Sequence, residues 1–210
     1  MVKKDFIYGI IAGILISIGG AVYLAVENKI AASVLFTVAL LCICLRGYNL
    51  YTGKIGFLVE AHKKESVSAT FLALLGNLIG TYVCGLLVRF GVPKSGDIAE
   101  VLCNAKLGQS FVETLIRGVF CGILMYLAVV IYRENGKVIG ILFCVPVFIL
   151  SGFEHSIADL FYFSASGIYS LKATGFLWTV ILGNSIGAMI IPALIKLSGK
   201  KAKTGAEEAK

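Results

Sequence analysis

Charge and histidine are the scarce commodities of this chain. Only 15% of its 210 residues are charged, and it has two histidines, three prolines and one tryptophan. A soluble domain carries about a quarter charged residues. The deficit, with 58% hydrophobic residues and a mean hydropathy of +0.91, excludes a water-soluble globule and makes this an integral membrane protein. With so few histidines, and no His, Cys, Asp and Glu cluster at ligand spacing, a catalytic metal centre is hard to assemble. We therefore expect no enzyme and no cofactor. The cysteines (Cys42, Cys44, Cys84, Cys103, Cys121 and Cys144) are scattered without CxxC spacing, and only Cys103 falls in an expected external loop, so no disulfide framework is implied. The net charge of +7 comes mainly from short loops and the C-terminal tail, where basic residues set topology and do not point to nucleic acid.

What the chain does have is long apolar runs. Six segments meet the rule of ~20 residues per span, roughly 6–26, 30–61, 67–91, 110–132, 138–163 and 174–196. The first is read as a retained span, because its apolar run is too long for a signal-peptide core. The second and fifth are too long for one simple helix, and each holds a Gly-centred polar interruption: Arg46-Gly47-Tyr48-Asn49 and Gly152-Phe153-Glu154-His155. Segment 93–108 reads as a polar loop, and 197–210 as a basic tail without a fixed fold. Residues 1–196 form one transmembrane domain. Placing both termini in the cytoplasm puts Lys3, Lys4, Lys63, Lys64, Arg133, Lys137, Lys196 and the tail lysines inside, and leaves Lys29, Lys94, Lys106 and Lys172 outside. That asymmetry satisfies the positive-inside rule and fits a multi-pass protein of the plasma membrane.

An internal repeat runs through these segments. Gly47-Tyr48-Asn49-Leu50 lines up with Gly152-Phe153-Glu154-His155 at an offset of 105, as do Gly13 and Gly118. Leu75-Gly76-Asn77-Leu78-Ile79-Gly80 matches Leu182-Gly183-Asn184-Ser185-Ile186-Gly187 at 107. Repeat one covers about 6–91 and repeat two about 110–196. Three spans per half invert the second half relative to the first, the plan of many transport folds with paired broken helices. The expected fold is all-α, with six spans in an inverted 3+3 arrangement.

His155 is the leading functional candidate, since an ionisable side chain in mid-span marks a pathway by default. Non-helical backbone at that depth survives only where it lines a cavity or is buried in protein. The plainer alternative is a buried histidine bonded between helices. Glu154 beside it could order the loop through backbone N–H groups, and Asn184 could hydrogen-bond near the histidine. Lys106 is by default a solvated loop lysine; at a pore mouth it would concentrate anions. Phe36, Leu40, Leu50, Phe148 and Met125 lie near the two breaks and are candidates for hydrophobic constrictions. Arg46, Arg89 and Arg117 sit near span ends or breaks, where snorkelling or pairing is the default. His62, beside Lys63 and Lys64, reads as part of a solvated turn.

Ser-Gly-Phe-Glu-His-Ser-Ile-Ala at 151–158 resembles the central signature of the formate/nitrite transporter family. Lys106-x4-Phe111-x-Glu113, Leu127-Ala128-Val129, Leu50-Tyr51-Thr52 after Gly47 and the two Gly-Asn motifs resemble that family as well, over about residues 7–195. The resemblance implies an aquaporin-like six-span protomer assembled as a homopentamer, with one pore per subunit. It implies passage of small monovalent weak-acid anions such as formate, nitrite or hydrosulfide, often with a proton. It casts His155 as the central pore histidine and Lys106 as an external anion-attracting lysine. Thr52 and Asn184 become polar pore or histidine-loop contacts. Phe36, Leu40 and Phe148 become constrictions, with Leu50 and Tyr51 on the cytoplasmic side. Two positions depart from the family pattern, which usually has asparagine where this chain has Gly122 and Asp159. The first is expected to remove a hydrogen-bond partner from the pore, and the second to add a carboxylate near the histidine loop. The rival reading is a neutral-solute channel for water, glycerol or urea, which shares the six-span plan; the NPA motifs of aquaporins are absent.

Overall fold

The apolar segments become helices, and glycine breaks interrupt the second and the fifth. The computed structural model describes residues 2–61 and 63–199, so His62 and the tail beyond 199, with its lysines, lie outside the described residues. The helices are α1 (Val2–Ala25), α2 (Lys29–Arg46), α3 (Lys64–Gly91), α4 (Pro93–Leu107), α5 (Phe111–Asn135), α6 (Ile139–Leu150), α7 (Ser156–Ser166) and α8 (Leu171–Leu197), with a 3-10 turn at Ile55–Val59. Of these, α1, α2, α3, α5 and α8 are long and apolar enough to cross a membrane. The shorter α6 needs α7 to complete its span.

The two expected breaks are mirror features. Gly47 ends α2 and Gly152 follows α6, both with left-handed backbone (φ 68° and 66°). A Cβ is disfavoured in that conformation, so glycine is the residue that lets the chain leave the helix there. The halves diverge after the break: residues 55–59 make only a 3-10 turn, whereas 156–166 make three turns of α-helix.

The halves close on matching seams, α1 on α3 and α5 on α8. Small residues allow this close approach, as expected where helices meet without water to drive them together. Gly9 and Gly13 face Gly76, Asn77 and Gly80; Gly118 and Gly122 face Gly183, Asn184 and Ala188. The structural partner of Gly118 is therefore Gly9, and that of Gly122 is Gly13, an offset of 109 and not the 105 at which Gly13 and Gly118 coincide in sequence. Gly122 also corrects an expectation about the pore. It packs on the Asn184 carbonyl in the helix seam, where any side chain would collide with backbone, so no pore hydrogen bond is lost at this position. At Gly187 an added Cβ would overlap the Val119 carbonyl. Gly187→Val is expected to cost roughly 1–3 kcal/mol or more through overpacking, read as a lower unfolding temperature in detergent.

The stretch 93–108 is a helix and not the loop expected from its polarity. Pro93 sits in its first turn, where its missing N–H costs nothing. Ser95, Gly96, Ala99 and Cys103 form its buried face, and α4 packs on α7. Cys103 is accordingly fully buried and not in an external loop.

Candidate functional site

The site begins with two asparagines that hold the breaks in place. Asn184, completely buried, accepts from the Ser156 N–H (2.9 Å) and donates to the carbonyls of Glu154 (2.8 Å) and Gly118 (2.9 Å). Asn77 repeats this pattern. It accepts from the Tyr51 N–H (2.8 Å) and donates to Asn49 O (3.0 Å) and Gly9 O (2.8 Å). Each asparagine satisfies the backbone groups on both sides of the residue at the break, Leu50 in one half and His155 in the other. Backbone polar groups freed from a helix at membrane depth need such partners.

His155, 3% exposed, is fixed at both ring nitrogens. As N-cap of α7, its Nδ1 accepts from the Ala158 N–H at 3.1 Å. Accepting there leaves the proton on Nε2, so the ring is the neutral Nε2–H tautomer donating to Thr52 Oγ1 at 3.0 Å. The imidazole stacks on Phe148 (centroids 5.6 Å, 18°), and Phe148 meets Phe36 edge-on (6.4 Å, 85°).

These rings belong to the wall of one of two cavities. One, of about 520 Å³, lies on the α4 side and is lined by Phe36, Lys106, Arg117, Phe148, Glu154, His155 and Asp159, among others. The other, of about 600 Å³, lies on the side where α1 begins, and its lining includes Asp5, Leu40, Leu50, Lys54 and Arg133. The structure thus brings Phe36, Phe148 and His155 together facing one cavity and Leu40 and Leu50 facing the other. Thr52 joins the histidine from the opposite half of the repeat. Asn184 lies behind the loop. Tyr51 and Met125 are buried but line neither cavity; the Tyr51 hydroxyl bonds Ser185 Oγ at 2.8 Å.

Lys106 is not the solvated loop lysine that its sequence context suggests. Its side chain is 12% exposed on α4, in an ion pair with Glu154 and 3.0 Å from Asp159 Oδ1. Burial opposes its charge, but the acidic side chains of Asp159 and Glu154 outweigh that and hold its pKa above the usual lysine value. Gln109 donates to the other Glu154 oxygen at 2.7 Å. Arg117, treated in sequence as a snorkelling or pairing residue, lines the same cavity, donates to Gly152 O (2.9 Å) and pairs with Glu113 (2.7 Å). Gln109 carried no sequence signal. Arg117 carried one: it is a cation a full turn inside a membrane-spanning segment. Among the described residues no group of three or more His, Cys, Asp and Glu side chains is placed to hold a metal ion.

Two cavities, one of them walled by the stacked rings, inside an inverted repeat of broken helices, define a membrane protein of the channel type. Residues 2–198 match the formate/nitrite transporter family model, and the chain belongs to that family. It is 31% identical over 180 residues to the nitrite transporter NirC of Escherichia coli (strain K12), covering 76% of this chain and 67% of that one. It is 29% identical over 180 residues to the uncharacterized transporter YrhG of Bacillus subtilis (strain 168), covering 78% of this chain and 65% of that one. The matched stretch is thus about two thirds of the length of these relatives. Among solved structures, a pentameric formate channel with formate bound superposes with a TM-score of 0.81 at 23% identity, over 94% of this chain and 96% of that one. An FNT family ion channel gives 0.77 at 24% identity, over 95% and 90%. At these identities the structural likeness speaks to the fold.

Proposed function

We propose that this protein passes small monovalent weak-acid anions (formate, nitrite or hydrosulfide) through a pore in each protomer of a homopentamer in the plasma membrane. The observation that carries this reading is His155, held neutral with its Nε2–H on Thr52 in the wall of the α4 cavity. Relatives named for nitrite and formate point to the same substrates. The positive-inside count supports an external α4 cavity and a cytoplasmic one on the other side.

The route follows from the cost of charge in a dry site. An anion enters the outer vestibule beside Arg117 and Lys106 and reaches the His155 Nε2–H in place of Thr52. Losing water there disfavours the charged form, so the anion's proton affinity rises. It takes a proton from vestibule water, crosses the apolar layer between Phe36, Phe148, Leu40 and Leu50 as the neutral acid, and ionises on the far side. His155 acts as hydrogen-bond donor to the anion, because its Nδ1 is occupied by the α7 cap.

Purified protein in proteoliposomes, challenged with formate, nitrite, hydrosulfide and glycerol while internal pH is recorded, tests this. Saturable anion flux with linked proton movement is the expected result. Glycerol flux without anion flux would move the protein to the neutral-solute class.

A further inference from the structure

Asp159 is the residue whose environment the proposed route does not use. It is 1% exposed and lies on the first turn of α7, with its backbone N–H on His155 O at 2.9 Å. Lys106 Nζ contacts its Oδ1 at 3.0 Å, but Lys106 also pairs with Glu154, which Gln109 further satisfies. One ammonium thus faces two buried carboxyl groups. Asp159 Oδ2 is buried without a hydrogen-bond partner, and so is Ser156 Oγ, three residues earlier on the same helix face. A carboxylate oxygen buried without a donor is costly, whereas a carboxylic acid in the same place is uncharged.

The other titratable groups around it do not supply the missing charge. Cys103 comes from α4, Cys121 from α5 and Tyr23 from α1; Tyr162 shares α7, and His155 is tied at both nitrogens. Arg89 of α3 donates to Ser166 O, farther along α7. The charged lining of the cavity consists of Lys106 and Arg117 against Glu113, Glu154 and Asp159. It balances only when one of the three carboxyl groups carries a proton, and Asp159 is the one with an unmet oxygen.

The geometry points to Asp159 as a proton-binding residue that decides whether the outer vestibule accepts an anion. Protonated, it leaves the Lys106–Glu154 pair neutral and the cavity open to an anion. Ionised at higher external pH, it places a net negative charge on the cavity wall, one helical turn from His155, and excludes anions by like-charge repulsion. The effect on flux rests on the anion-channel reading above; the protonation itself does not.

Asp159→Asn is the matching variant, because it keeps the shape and the acceptor for Lys106 while removing the titration. Wild-type flux at constant anion concentration is expected to fall with external pH more steeply than that of Asp159→Asn, by up to about tenfold per pH unit, the slope of a single proton. The variant should carry anion at alkaline pH where the wild type is shut. Infrared difference spectra across a pH step read the carboxyl directly. The wild type should show a protonated-carboxyl carbonyl band that Asp159→Asn lacks. Parallel pH profiles for wild type and variant, a band that survives in Asp159→Asn, or the absence of any such band would each overturn the proposal. Absence of anion flux in both proteins with the band intact would instead count against the channel reading alone.

Discussion

Replacing His155 with asparagine is expected to leave the protein folded and to cut anion flux by about 10- to 100-fold. The factor corresponds to ~1.5–3 kcal/mol, the contribution of a hydrogen bond to a charged group. The choice of residue matters because His155 does two things. Through Nδ1 it caps α7, and through Nε2–H it faces Thr52 in the wall of the α4 cavity. Asparagine is among the best N-cap residues, so His155→Asn retains the first function and removes the aromatic donor. His155→Phe removes both, and should add a loss of about 1 kcal/mol in stability from the missing cap. Thermal unfolding in detergent beside proteoliposome flux separates the two. If flux and stability fell together in both variants, the histidine would be a structural cap and no more. Wild-type proton-coupled uptake of formate or nitrite by His155→Phe would remove it from the pore mechanism altogether.

The breaks were legible in the sequence because they combine two physical demands in a few residues: glycine for positive φ, and polar groups inside an apolar run. The resemblance around 151–158 then led to the right family. What stayed hidden depended on packing direction and not on composition. α4 reads as a loop because its mean hydropathy is low, yet Ser95, Gly96, Ala99 and Cys103 lie on one face at helical spacing and need only small volume to pack on α7. The repeat was visible, but its offset drifts from 109 in α1 and α5 to 105 at the breaks and 107 in α3 and α8. The offset of the breaks, carried back to the first helix, pairs Gly13 with Gly118, while the structure pairs Gly9 with Gly118. Lys106 stands out in the sequence by its charge, but its pairing with Glu154 beside Asp159 depends on α4 meeting the break and α7. No spacing in a sequence encodes that contact.

Asn184→Ala is expected to destabilise the protein more than loss of any residue lining the cavities. Truncation leaves two buried backbone groups unmet at once, the Ser156 N–H and the Glu154 carbonyl, and takes from the Gly118 carbonyl in α5 its second donor. Each costs about 1–3 kcal/mol when no water can replace the partner. Hydrogen bonds within bilayers often measure lower, near ~0.6 kcal/mol, because the unfolded chain finds other partners in the membrane. That discount applies weakly here. The two unmet groups flank His155 at the break, where neither has an intrahelical alternative at that depth. A loss of several kcal/mol should follow, read as a large drop in unfolding temperature and in the yield of intact oligomer. Asn77→Ala should do the same to the first half, since its three bonds repeat the pattern around Leu50. The diagnostic difference lies in the function that survives. Partial loss of the Asn184 pin displaces Glu154 and Ser156 on either side of the histidine and should damage anion passage in proportion to the remaining fold. Partial loss of the Asn77 pin moves Leu50 and Tyr51, whose role is apolar bulk and a bond to Ser185, and should widen the pore before it stops it. Faster and less selective flux in Asn77→Ala, beside slower flux in Asn184→Ala, would show that one structural device, used twice, supports a seal in one half and a binding group in the other.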